Sequence, residues 1–354
     1  MFGRRERTLP EICTDLADAV IRLDGPESTK GHRAVVERVP DADRAELSAG
    51  LARLAPALEE VALGNGGFLA TLTAGLIETG ADPLPVLGVL VDRVAGGLEA
   101  AAHFGLLADK LGDVSAPTTA DGYRALRERI VEAAPAAGLS VEEAGQITQA
   151  WFSVNDWIPS LLLPLQQKTA RRALPERERL TAATVAMAEH AEDAPWLLGL
   201  LRVLDDEPVL AVHRETGRVF ELTMSGVGDN VQLHVLLAAR LTGDGLIPGE
   251  PPADSWVAAA TTGDMAPEDG VRTQFNLVDA EGAWIWGEGR PADIPAVDGR
   301  RMIVLDPPTY ARSWNIGRQY PLMVPELTLA RALPAAEAAT WLARIAPAKD
   351  PRLS

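Results

Sequence analysis

The chain has 354 residues, 47% hydrophobic and 23% charged, a balance that suits a soluble globular protein of about two domains. Its formal charge is −17 and both halves are net negative, which argues against a nucleic-acid backbone or an anionic membrane surface as partner, since either requires clustered cations. A single cysteine, Cys13, excludes an intramolecular disulfide and a cysteine zinc cluster. The Arg-bearing N-terminus lacks the apolar run of a signal peptide, and the most apolar window, between Pro85 and Leu107, is broken by Asp92, Arg93 and Glu99. A cytoplasmic protein is expected. The Ala-, Arg- and Pro-rich vocabulary is that of a GC-rich bacterial gene.

The first helix is expected near Pro10 to Leu23, with Cys13 as a small buried residue. Asp43 to Glu46 reads as a capping box, followed by a stripe of Leu47, Leu51, Leu54, Leu58 and Val61 at helical spacing. The run Gly64-Asn65-Gly66-Gly67 ends that helix, a second follows from Phe68 to Glu78, and a third opens at Asp82-Pro83 and is apolar on several faces, as a central helix would be. Thr119 or Asp121 starts another. Ser140 and Glu143 form a second capping box, leading into the stripe of Ala144, Ile147, Trp151, Val154 and Ile158, which Pro159 and Pro164 break. Pro175 and Pro195 sit near the starts of two last helices. Helices of this length joined by short loops predict an all-α bundle or an irregular helical, armadillo/HEAT-like domain over 1–205.

At Asp205-Asp206-Glu207 the pattern changes to strands. Val209 to His213, Arg218 to Met224 and Val231 to Ala238 read as a three-stranded meander, with turns at Glu215-Thr216-Gly217 and Gly228-Asp229-Asn230 and Gly226-Val227-Gly228 as part of a hairpin turn. The proline-rich 248–254 follows. Strands are expected near Trp256 to Thr261, Thr273 to Asp279, Ala283 to Gly287, Met302 to Leu305 and Pro325 to Leu333, and a closing helix at about 334–346. Strands without intervening helices predict a mainly antiparallel β domain over 206–354, a sandwich or a partly closed barrel, so the whole chain reads as α+β.

Two stretches depart from strand grammar. Trp284 and Trp286, two apart on one strand, face one side of the sheet: core if that face is buried, a stacking wall if it is open. Residues 306–320 have no period yet carry Tyr310, Arg312, Trp314, Arg318 and Tyr320, the residue types a recognition surface uses for contact area and planar hydrogen bonding. The other reading is a long loop pinned by its aromatics.

Familiar chemistry is missing from the sequence. There is no Walker A loop and no Gly-x-Ser-x-Gly elbow, and Gly226-Val227-Gly228 is expected to lack both the third glycine and the following helix of a dinucleotide fingerprint. The five histidines have no metal-ligand spacing, so no metal or cofactor is expected. The favoured reading is a protein-binding, scaffold or regulatory protein that uses residues 306–320. The alternatives are a motif-poor transferase or hydrolase taking a small molecule between its domains, and an acidic mimic. The sequence leaves the oligomeric state open.

Overall fold

A computed structural model of the chain describes residues 7–112, 114–263, 271–315 and 318–349. The start of the Arg-bearing N-terminus and two positions of the aromatic stretch, Ile316 and Gly317, lie outside the described residues. The chain is α+β and forms two compact units, Met1–Leu165 with Thr169–Leu201, and Gln166–Lys168 with Arg202–Ser354.

The first unit is helical: α1 (Leu9–Ile21), α2 (Gly25–Arg38), α3 (Arg44–Glu60), α4 (Gly67–Glu78), α5 (Leu84–Ala102), α6 (Gly105–Leu111), α7 (Ala120–Ala136), α8 (Val141–Ser153), α9 (Pro159–Leu162), α10 (Lys168–Ala173), α11 (Arg177–Ala186) and α12 (Ala194–Leu201). Helix α5 is central, packed on α3, α8 and α11 through buried Leu87, Leu90, Val94 and Leu98. The Ser140 box forms as read: Glu143 N–H donates to Ser140 Oγ (3.1 Å), and Ser140 N–H to Glu143 Oε2 (2.8 Å). The first box differs. Asp43 caps α3, but Glu46 accepts from Leu9 N–H (2.8 Å) and Arg38 Nη2 (3.0 Å), tying α1 and α2 to α3. Cys13 is buried, and burial pushes its thiol pKa up to about 12, leaving it an apolar core residue. No helix among the described residues is long and apolar enough to cross a membrane.

The second unit is built on one sheet. Its strands are β1 (Glu207–His213), β2 (Arg218–Ser225), β4 (Asn276–Val278), β5 (Ala296–Val297), β6 (Arg300–Asp306) and β8 (Glu326–Ala332), while β3 (Val271–Arg272) and β7 (Ser313–Trp314) form a separate small ribbon. The order is β4-β6-β1-β2-β8, with β5 paired to β6, and all pairs are antiparallel except β1 with β6. Helices α13 (Asn230–Ala238) and α14 (Asp254–Ala260) cover one face, where Ala211, Phe220, Ile303 and Leu305 lie. Helix α15 (Ala335–Leu342) covers the other, over Leu210, Val212, Met302 and Val304. A sheet buried on both faces needs continuous apolar strands, and the five C-terminal residues of both β1 and β6 are buried.

The third meander strand is α13: Gly228-Asp229-Asn230 is its entry, not a hairpin turn, because Asp229 Oδ1 accepts from Gln232 N–H at 2.7 Å. All nine residues of α13 are buried, so it lacks the polar face that would betray a helix in sequence. The strand expected at Trp256 to Thr261 is likewise α14, and Ala283 to Gly287 contributes only a single bridge, Trp284 to Val278. With helices on both faces and a parallel central pair, the unit is neither sandwich nor barrel.

Candidate functional site

Strands β1 and β6 run parallel side by side, and their carboxyl ends lie together. In open sheets that edge is where ligands commonly sit, because the chain leaves the two strands there and opens a crevice. Side-chain alternation decides which groups reach which face. His213 falls with Ala211 on the α13 face, whereas Arg214 and Asp306 fall on the α15 face with Val212 and Val304. Asn276 pairs directly opposite Asp306 and joins them.

Around these three a cleft of about 690 Å³ opens, lined by Arg214, Asn276, Asp306, Trp284, Trp286 and Tyr310 among others. Its floor is a charge pair: Arg214 Nε donates to Asp306 Oδ1 at 2.6 Å, and Arg214 Nη2 to the Ala346 carbonyl at 3.0 Å. Its walls are aromatic. Trp284 and Trp286 lie 6.4 Å apart between centroids, and Tyr310 stacks near Trp284 at 6.2 Å. Trp286 is 59% exposed and Tyr310 53%, so both present open ring surface at the mouth. Trp284 is half-buried and packs on the α15 core, its Nε1–H donating to Lys349 O.

Behind the walls stands Arg312. Its guanidinium carbon lies 4.9, 5.3 and 5.2 Å from the ring centroids of Trp284, Tyr310 and Trp314, and its Nη2 donates to Asn276 Oδ1 at 3.0 Å. One cation therefore holds three rings and fixes the sheet edge to the loop. The loop is pinned again by the β3–β7 ribbon and by Thr273, whose N–H and Oγ1 both donate to Arg312 O.

The remaining residues named from sequence lie elsewhere. Trp314 packs on the α13 face, 5.5 Å from His234. Arg318 caps α14, its Nη1 donating to the carbonyls of Ala259 and Gly263, each at 3.0 Å. Tyr320 is buried, and burial pushes its hydroxyl pKa up to about 12. Trp284, Trp286 and Tyr310 thus line the cleft and Arg312 backs it, while Trp314, Arg318 and Tyr320 belong to packing. Sequence reading missed Arg214, Asn276, Asp306 and Lys349. The usable signal was that Asp306 and Arg214 immediately end apolar strands.

A second cleft of about 680 Å³ opens around His213, Phe275 and Trp256. There His213 Nδ1 is engaged with Thr216 Oγ1 at 2.8 Å, and burial lowers its pKa. His234 sits on α13 rather than on a strand. Its Nε2 accepts from Gln274 N–H (3.1 Å) and Phe275 N–H (3.2 Å), and burial lowers its pKa to about 4, so the ring is neutral. A helix does follow Gly226-Val227-Gly228, but its first amides are taken: Asn230 N–H by Gly289 O, Val231 N–H by Gly287 O and Gln232 N–H by Asp229. None of these is left for a phosphate. Among the described residues no three of His, Cys, Asp and Glu come together as a metal-holding group.

No protein-family model matches this chain, and no curated protein or solved structure is detectably similar to it.

Proposed function

We propose that this is a binding protein of scaffold or regulatory type, which takes a segment of a partner protein into the cleft between β1, β6 and residues 306–320. The observation that carries the reading is the exposure of Trp286 and Tyr310 at the mouth of a cleft whose charge pair, Arg214 with Asp306, is already internally satisfied. Exposed aromatics held on a rigid base give large contact area at low entropic cost, which is how recognition surfaces gain affinity. Chemistry would instead need a nucleophile beside a base, or a carboxylate left unpaired. Among the described residues, the carboxylate lining the cleft is bonded to an arginine, and no histidine lines it. On composition, we take its setting to be the bacterial cytoplasm.

The test is native mass spectrometry of the tagged full chain purified from its own host. A stoichiometric protein companion is expected, absent from a Trp286→Ala/Tyr310→Ala variant whose melting temperature is unchanged. A companion that this variant retains, or a wild-type chain that never carries one, would overturn the reading.

A further inference from the structure

The charge of the cleft runs against the charge of the chain. In a protein of net −17, the charged groups among the described residues that line or back this cleft are Arg214, Arg312 and Lys349 against the carboxylate of Asp306. That carboxylate is spent on Arg214. Neither Arg312 nor Lys349 has an ion-pair partner among the described residues. Asn276 adds to the excess of donors. A guanidinium can only donate, so the bond from Arg312 fixes which atom of the Asn276 amide is oxygen, and the NH₂ is left to face away from it. Asn276 is 2% exposed and lines the cleft, so this is a buried amide on a binding wall.

The cation at the mouth is delivered by the C-terminal segment after α15. Ala346 N–H donates to Ala280 O and Lys349 N–H to Gly282 O, both at 2.8 Å, laying this strap along the turn before Trp284. With Ala348 and Lys349 the strap forms one wall of the cleft. The rings give the cleft flat apolar surface, and beside the Asp306 carboxylate, which Arg214 engages, the charged and amide groups at it are donors.

We infer that the cleft takes a carboxylate carried beside a flat ring: the ring stacks on Trp286 and Tyr310, and the carboxylate is met by Asn276, Lys349 and the outer edge of Arg214. This rests on the reading of the cleft as a recognition site and names its ligand chemistry. Such a group comes either from a partner segment, with Asp or Glu next to an aromatic residue, or from a free aromatic acid.

The experiment selects phage-displayed random heptapeptides on the immobilised full chain, with the Trp286→Ala chain as counter-selection. Expected are peptides with Asp or Glu within about two residues of Trp, Tyr or Phe, whose Kd weakens about tenfold in Lys349→Glu and on replacing the acid by its amide. Selected peptides without an acid, or a Kd indifferent to Lys349→Glu, would overturn the charge assignment and leave the cleft standing as a recognition site. No enrichment over Trp286→Ala would overturn both. Phenylacetate then separates the sources: displacement of the peptide at micromolar concentration points to a free aromatic acid and displacement only at millimolar to a partner segment, while no displacement at all contradicts the shared chemistry.

Discussion

Arginines 312 and 318 lie six positions apart in one aperiodic stretch, yet they do different work. Arg312 gathers three aromatic rings behind the cleft, whereas Arg318 satisfies the carbonyls at the end of α14. Sequence could mark both as unusual for a loop but could not separate them, because their partners lie far along the chain. Arg318→Ala is therefore expected to destabilise the protein by about 1–3 kcal/mol, read from a urea melt, since it leaves part-buried carbonyls without their donor. Arg312→Ala should instead loosen Trp284 and Tyr310 and shift tryptophan fluorescence to the red. An unchanged spectrum would show that the rings stand without it. A further pair of residues acts through pH. His234 is held to a pKa of about 4, while the unfolded chain takes that proton near 6.5, so its contribution to stability is lost as pH falls through this window. Asp229, partly buried at the start of the same helix, is raised by desolvation to about 6 from 3.8, so it pulls the other way: its proton is held in the folded state, and stability rises as pH falls from 6 to 3.8. Asp229→Asn keeps a capping acceptor and removes the buried charge. Urea melts should show it more stable than wild type by about 1–3 kcal/mol at pH 7, with the gain gone at pH 4. An equal shift at both pH values would contradict the assignment.

Among the elements, legibility followed amphipathicity. Helices with one apolar stripe, such as α3 and α8, were readable because their polar face is also present. Helix α13 is buried on every side and read as a strand, and α2 escaped notice for the opposite reason, burying only Val35. The parallel pairing of β1 with β6 was not legible either. It joins residues some ninety positions apart, and without it nothing in the sequence brings Arg214 to Asp306. At this scale the clearest dependence is on Gly282. It has φ +78, and a Cβ there would meet the Pro347 carbonyl oxygen at 2.0 Å. Only glycine lets the strap lie against this turn. Gly282→Ala should free residues 346–349, seen as early proteolysis after α15, and destabilise the protein by about 1–3 kcal/mol. Wild-type resistance at that site would show that the strap tolerates the side chain.

For the whole molecule, the change from helical period to strand at Asp205-Asp206-Glu207 was plain in the sequence, and, Gln166–Lys168 apart, the two compact units divide between Leu201 and Arg202. We propose that each is an independent folding unit, since each has a core of its own. Fragments 1–201 and 202–354 should each melt cooperatively, and an insoluble 202–354 would count against this. The sequence also drew attention to residues 306–320, through an excess of aromatic and arginine residues over what a loop needs, but it could not tell surface from support. That distinction sets the decisive measurement, a comparison of Trp286→Ala with Arg318→Ala for both partner binding and thermal melting. The cleft account predicts a crossing: Trp286→Ala loses the partner and keeps its melting temperature, while Arg318→Ala melts several degrees lower and still binds below its transition. If Trp286→Ala binds as wild type, or loses binding only in step with its stability, the cleft is not the recognition site.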